Sequence, residues 1–405
     1  VRIALVTGEY PPMRGGVADY TAIIGDNLAK LGVDVTVLTS RRADDGRDGA
    51  VRVDPSVATW SWRCWSDLAR HARQFRPDLI HVQYQTGAFD LQIGINLWPW
   101  LGQFRRMPPV VVTFHDLKEP YILPKLGRLR HIATHLLAAG AGAVIATNHE
   151  DYGRLSGGFA TGRTSRAWGS RPLAAIPIGS NIPVEPADPR RTRDWRRRLG
   201  AAADELVIGY FGFLGPTKGG ADLVEAFQSS LRAGVNARLA MVGASRGDSE
   251  TAFAGEEGAI RARLAEPTLA DRVTWTGYLP AREVGYALQA LDLICLPFTE
   301  GGSLRHGTLV AALTHGVPTV TTRPSESREL SGLPILRDGV SALLVSPRNP
   351  RALGEAIRRA AADPRLRATL AQGAAEIADC FSWESIARQS LALYRNVLTK
   401  ERSGT

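Results

Sequence analysis

Short apolar runs recur along the chain, separated by stretches long enough for helices. In the first part, "RIALVT", "VDVTVLT", "DLIHVQ", "PVVVTFH" and "AVIAT" alternate with amphipathic segments at 18–31, 65–75, 90–104 and 126–139. Strands of this kind alternating with helices predict a parallel sheet with crossover helices. The alternation stops after residue 148. Residues 153–172, "GRLSGGFATGRTSRAWGSRP", are rich in Gly, Ser, Thr and Arg and predict a long exposed loop. One more strand, "LAAIPI", is followed by the closely spaced Pro183, Pro186 and Pro189, which predict an interdomain linker.

Alternation then begins again. "ELVIGYFGF", "ARLAMVG", "RVTWTG", "DLICLPF", "VPTVTT" and "ALLVS" read as strands, with helices at 219–232, near 256–266, at 280–290, at 304–315 and, briefly, at 325–330. The pattern predicts an α/β chain of two doubly wound halves: 1–180, a linker over 181–204, and 205–380. A final helix over 381–399 carries Ser382 as candidate N-cap; Ser385 stands where a full capping box would want Glu or Gln. This helix can pack on either half, and return to the first is carried as the expectation. Ligands in open α/β folds bind at the carboxyl ends of the strands, so two such halves are expected to present those ends to one cleft.

Composition narrows the class. At 405 residues and 44% apolar, the chain can build more than one core. No apolar run approaches the roughly 20 residues needed to cross a bilayer, and "IALVT" follows Val1 and Arg2 without a signal-peptide pattern. The expected location is the cytoplasm, with peripheral contact at the inner face of an anionic membrane as an added reading. Cys64, Cys295 and Cys380 lie far apart without CxxC spacing, which suggests neither a disulfide framework nor a zinc site. The net charge of +9 is carried by 44 Arg against 5 Lys and is uneven, with 21 basic and 15 acidic side chains in 1–180 and 28 and 25 in 181–405. An anionic partner near the first half fits that excess.

Three loops hold the candidate chemistry. After the first strand, Gly15 and Gly16 stand just before a helix, whose free N–H groups attract anions. The spacing is not the GxGxxG of a dinucleotide site. In "YFGFLGPTKGG", Gly212, Gly215, Gly219 and Gly220 surround Lys218; Gly219 follows the lysine where Walker A needs Ser or Thr, so the turn suits a diphosphate without being an NTPase loop. In "FTEGGSLRHGTLV", Glu300 is an acceptor suited to hydroxyls. Gly301 and Gly302 free the backbone, Ser303 is placed to cap the next helix, and Arg305 is placed in its first turn. An arginine there opposes the helix dipole unless an anion binds beside it. Groups for a diphosphate and for a sugar together describe a nucleotide-sugar.

The order "GGVADY", "TFHD", "IPIGSNIP", "GFLGPTKG", "TGYLP", "PFTEGGS" and "HGVPTVTT" resembles the family 4 retaining glycosyltransferases of the GT-B fold over essentially the whole chain. The resemblance implies two Rossmann-like domains, a nucleotide-diphosphate-sugar donor on the C-terminal half, an acceptor on the N-terminal half, and no metal or other cofactor. Consistently, no two aspartates are spaced i, i+2. It implies that Gly16 approaches the donor phosphates, that His115 lies near the donor sugar and Lys218 at the diphosphate, that Glu300 and the amides of Gly301 to Ser303 hold the sugar, and that Tyr278 and Leu279 flank the base. His306 is read as a surface residue. There are two departures. Phe213 occupies the place of the usual arginine, with Arg305 as its replacement. Thr308 occupies the place of the second glutamate, or Ala311 when counted back from "GVP". The loop Ser303 to Thr308 resembles a branch of the family with a Ser-x-Arg-x-Gly-Thr sequence.

The resemblance implies transfer of a glycosyl group with retention, in glycan or glycoconjugate biosynthesis, to a carbohydrate, lipid-linked or small-molecule acceptor; nucleic acid is not an expected partner. His115, Glu300, Lys218 and Arg305 are the candidate catalytic set, and Gly15, Gly16, Gly215, Tyr278, Leu279, Gly301, Gly302, Ser303 and Thr308 complete the donor site. A nucleotide-sugar epimerase on the same scaffold and an inactive donor-binding subunit are the alternatives. Trp60, Trp62, Trp65, Trp98 and Trp100, beside Arg63, Arg105 and Arg106, suit either a membrane-facing patch or a core edge.

Overall fold

The computed structural model describes residues 1–13, 15–43, 49–104, 107–117, 127–156, 171–243, 254–325, 330 and 332–403. The chain divides into two units, Val1–Gly179 with Leu330–Leu333 and Ser382–Thr405, and Ser180–Glu329 with Pro334–Phe381.

The first unit runs β1 (Arg2–Thr7), α1 (Gly16–Lys30), β2 (Asp34–Ser40), β3 (Arg52–Val57), α2 (Cys64–Phe75), β4 (Leu79–Tyr84), α3 (Gly94–Phe104), β5 (Val110–Phe114), α4 (Gly127–Gly140), β6 (Ala143–Ala146), α5 (His149–Ser156) and β7 (Leu173–Ala175). Its strands pair in parallel in the order β3-β2-β1-β4-β5-β6-β7. Strands β4 and β5 are buried along their whole length because helices cover both faces, which is why β5 reads as a nearly unbroken apolar run. Strand β3, "RVDPSV", is not foreseen by the alternation. It is an edge strand with only Val57 fully buried, so it tolerates Asp54 and Pro55. The helix α13 (Trp383–Ser403) returns to this unit and packs on α1, burying Ile386, Ala387 and Tyr394, and the Ser382 hydroxyl accepts from the Ser385 N–H at 3.2 Å as its cap.

The second unit runs α6 (Pro189–Arg198), β8 (Leu206–Phe211), α7 (Gly220–Arg232), β9 (Ala237–Val242), α8 (Ala254–Leu264), β10 (Val273–Gly277), α9 (Ala281–Gln289), β11 (Leu293–Leu296), α10 (Gly307–Thr314), β12 (Thr319–Thr322), β13 (Leu343–Val345), α11 (Pro350–Ala362) and α12 (Pro364–Ala378). Its parallel sheet has the order β10-β9-β8-β11-β12-β13.

Two sequence expectations change and a third falls mostly outside the described residues. The linker over 181–204 holds α6, capped by Asp188, with Trp195 buried in the second core and Arg196 paired to Asp292 at 2.7 Å; the dense prolines conceal one good helix start, Asp188-Pro189. The first four residues of the exposed loop expected over 153–172 are helical, since α5 runs from His149 to Ser156; residues 157–170 lie outside the described ones. Most of the short helix expected at 325–330 falls on residues 326–329, also outside them.

Candidate functional site

In the second sheet the strand order reverses between β8 and β11. The loops leaving those two strands are the turn 212–219 and the loop 297–306, and a reversal point at the carboxyl ends is where open parallel sheets bind ligands. The loops are locked together. The Thr299 N–H donates to the Thr217 carbonyl at 3.0 Å and its hydroxyl to the Pro216 carbonyl at 3.2 Å, while the Lys218 Nζ lies 5.4 Å from the centre of the Phe298 ring. Gly219 permits this approach, with φ +67 and a position where a Cβ would lie 1.9 Å from the Pro297 carbonyl oxygen. It precedes α7 without a side-chain cap, leaving that helix start open to an anion. Gly215 closes the turn by accepting from the Lys218 N–H at 2.9 Å.

The second loop is equally constrained. Gly301 has φ +96, and a Cβ there would lie 2.7 Å from the Arg323 carbonyl; the Gly302 N–H donates to the Thr322 carbonyl at 3.0 Å. Arg305 Nη2 lies 3.5 Å from Glu300 Oε2, and only 14% of the arginine side chain is exposed against 35% of the carboxylate. The helix expected from residue 304 starts at Gly307. A turn occupies 303–306, in which buried Ser303 accepts from the Arg305 N–H at 3.4 Å and the His306 N–H donates to the Ser303 carbonyl at 2.9 Å. Ser303 therefore caps this turn and not α10, and Arg305 precedes the helix. His306 is no surface residue: half-buried, it stacks on Phe298 at 3.8 Å and accepts from the Ser303 N–H at 3.3 Å.

Thr308, in the first turn of α10, faces Gly212, where a Cβ would lie 2.9 Å from its Cγ2. Ala311 is fully buried in the core, so the position counted back from Pro318 cannot meet a ligand. Tyr278 and Leu279 follow β10 at the sheet edge; Leu279 packs on the core and Tyr278 is 80% exposed. Phe213 is exposed and supplies no cation. Arg348, not singled out in the sequence, donates from Nε to the Thr299 carbonyl at 3.4 Å.

The first unit holds a different set. Gly15 is the extended N-cap of α1 without a side-chain cap, and nothing lies within 4 Å of a Cβ built on Gly16. Glu9, which no sequence motif marks, stands beside them, since a Cβ on Gly15 would lie 2.2 Å from its Oε2. Burial pushes its carboxyl pKa up, opposed by Arg42 and assisted by Asp90. His115 follows β5, its N–H donating to the Tyr84 carbonyl at 3.0 Å and its Nε2 lying 2.9 Å from Gln83 Oε1. Tyr20 of α1 packs edge-on against its ring at 4.5 Å, which joins the start of α1 to the His115 loop. Burial lowers the His115 pKa to about 3, so the ring is neutral at physiological pH and cannot counter a phosphate charge. The chain after it is tied by buried Asp151, which accepts from the Leu117 N–H at 3.3 Å and from Asn148 Nδ2 at 2.9 Å and whose pKa burial raises to about 6.

The tryptophans divide. Trp60 and Trp98 are buried and Trp65 donates to the Gly94 carbonyl at 2.9 Å, while Trp62 is 70% and Trp100 36% exposed; Arg105 and Arg106 lie outside the described residues. Among the described residues no helix is long and apolar enough to cross a membrane.

The family described as "Glycosyl transferase 4-like domain" matches residues 15–160, and that described as "Glycosyl transferases group 1" matches 205–363. A D-inositol 3-phosphate glycosyltransferase of Corynebacterium efficiens is 24% identical over 435 residues, covering 100% of this chain and 97% of that protein. Among solved structures, sucrose-phosphate synthase from Thermosynechococcus elongatus superposes with TM-score 0.72 at 22% identity, covering 98% of this chain and 99% of the other. Anabaena Alr3699/HepE, in complex with UDP and glucose, superposes with TM-score 0.71 at 20% identity over 98% and 99%. At such identities the structural likeness speaks for the fold, two parallel-sheet Rossmann-like domains, and the matched families speak for the activity. This chain belongs to the family 4 glycosyltransferases of the GT-B fold.

Proposed function

We propose that the chain transfers a sugar from a nucleotide-diphosphate-sugar to a hydroxyl acceptor with retention at the anomeric carbon and without a metal. The observation that carries this reading is the locking of the Lys218 turn against the Glu300–His306 loop where the second sheet reverses order. An ammonium, a shielded guanidinium and an uncapped helix start suit the diphosphate, Glu300 suits the sugar hydroxyls, and exposed Tyr278 suits the base. On this reading Arg305 exchanges Glu300 for the diphosphate when donor binds, which releases the carboxylate for the sugar. The departing phosphate takes the acceptor's proton, and Lys218 and Arg305 stabilise the charge it gains, so that catalysis is positioning and electrostatics.

The neutral His115 serves a ligand hydroxyl as a hydrogen-bonding group, and the acceptor lies on the first unit near Gly16. The named relatives make D-inositol 3-phosphate the first acceptor to try, and a phosphorylated polyol fits the basic excess of residues 1–180. The testing experiment incubates the protein with a panel of nucleotide-sugars, with and without that acceptor, and follows thermal shift, nucleoside diphosphate release and the anomeric configuration of the product. One stabilising donor, released as diphosphate only with acceptor and giving a retained linkage, is expected. Stabilisation without release under any acceptor would favour the donor-binding subunit, and conversion of the donor sugar without acceptor would favour the epimerase.

A further inference from the structure

Strand β4 is buried on both faces, yet it carries His81 and Gln83 on one side, and neither is exposed at all. Polar side chains in such a place persist only when hydrogen-bonded. The tyrosine hydroxyl of Tyr394, from α13, lies 2.7 Å from His81 Nδ1, and Thr113 Oγ1 of β5 lies 2.8 Å from His81 Nε2. Burial lowers the pKa of His81 to about 3 and raises that of Tyr394 well above its ordinary value, so both are neutral. A neutral imidazole has one donor and one acceptor nitrogen. The Tyr394 and Thr113 hydroxyls can each donate or accept, so both ring nitrogens of His81 are satisfied in either neutral tautomer.

The Gln83 amide nitrogen lies 3.2 Å from His81 Nδ1 and 3.4 Å from Nε2, so its NH2 group is turned toward the His81 ring. Its carbonyl oxygen is thereby turned the other way, to His115 Nε2 at 2.9 Å. An amide oxygen can only accept, which requires the His115 proton to be on Nε2. Among the described residues the Nδ1 of His115 has no hydrogen-bond partner.

We propose that Gln83 is a positioning residue, whose buried amide, held by His81 and Tyr394, fixes His115 in the Nε2–H form and leaves its Nδ1 lone pair to accept from a hydroxyl of the bound ligand. This rests on the reading above that His115 meets a ligand hydroxyl. The hydrogen bond fixes the ring orientation as well as the tautomer, in the way second partners orient histidines at metal sites.

The test substitutes Gln83→Met, which keeps length without an acceptor, and reads the His115 ring by long-range proton–nitrogen correlation NMR on ligand-free protein, assigned by its loss in His115→Asn. The wild type is expected to show a single Nε2–H form, and Gln83→Met a mixture of tautomers with donor turnover reduced about three- to tenfold, the scale of one lost neutral hydrogen bond. Gln83→Glu, whose carboxylate still accepts from Nε2–H, is expected to keep the single form, and it serves if the methionine variant does not fold. A wild type with the proton on Nδ1, or a methionine variant that keeps the single Nε2–H form while losing turnover, overturns the proposal, because the latter marks a role in packing alone. The tautomer is read without ligand, so it stands or falls separately from the donor reading.

Discussion

At the reversal point of the second sheet the polar groups are charged and partly open to solvent: Lys218 on Phe298, and Arg305 beside Glu300. In the first sheet they are neutral, with His81 and Gln83 fully buried inside β4 and His115 half-buried at the carboxyl edge. His115 and His81 are held near pKa 3, Tyr20 is held protonated by burial, and Gln83 has no charge to lose. The difference separates two ways of holding a ligand. Charges keep their value only where an anion can replace water around them, and they are costly where nothing replaces it. A buried network of neutral groups costs little once its hydrogen bonds are made and selects by geometry. On the proposed reading the second unit grips charge and the first orients hydroxyls.

The sharpest way to break this contrast is to remove a cation. Lys218→Ala and Arg305→Ala are each expected to lower turnover by about ten- to a hundredfold, since a charge-assisted hydrogen bond is worth roughly 1.5–3 kcal/mol. Steady-state rates that stay within about twofold for both variants would remove the charged half of the comparison. The next effect concerns backbone. Gly219→Ala forces a side chain into positive φ and against the Pro297 carbonyl, and should cost about 2 kcal/mol or more with loss of the donor thermal shift. A variant that melts with the wild type and binds donor would mean the two loops are not locked as described.

The neutral half is tested by pH. A histidine whose folded pKa is about 3 and whose ordinary value is 6.5 contributes stability that is complete above 6.5 and is lost as pH falls toward 3. His115→Asn removes that contribution. The stability difference between wild type and variant should therefore fall by up to about 1.4 kcal/mol per pH unit between pH 6.5 and 4. Denaturant unfolding at several pH values measures it, and parallel curves would mean that His115 is not held neutral.

Much of this was legible beforehand. The alternation of apolar runs reads directly as parallel strands, because burial on both faces leaves strands such as β5 and β11 almost wholly apolar. The glycines around Lys218 and Glu300 were visible as loop chemistry, since tight approach leaves glycine behind. The rest needed three dimensions. Arg305 reads as a first-turn residue because helix starts are poorly marked in sequence, and only the Ser303 turn with its His306 ring moves the start to Gly307. Gln83 carries one signal in the sequence: in "LIHVQY" two polar residues two apart interrupt an otherwise apolar central strand. Their partners Thr113 and Tyr394 are 32 and 313 residues from His81, so no local spacing could have joined them.

Tyr278 offers the smallest effect and the finest division between packing and binding. Its side chain follows the edge strand β10 and is 80% exposed, whereas its neighbour Leu279 is packed on the second core. A tyrosine left in water gains little from the fold, so Tyr278→Ala should change stability by no more than about 0.5 kcal/mol. If a base stacks on it, donor affinity should fall about fivefold or more, because stacking of a base on an aromatic ring is worth roughly 1–3 kcal/mol. Titration of a nucleoside diphosphate by calorimetry separates the two. Weaker binding without destabilisation assigns Tyr278 to the ligand, unchanged binding leaves the base to other side chains, and lost stability would mean that the ring packs against the protein in solution.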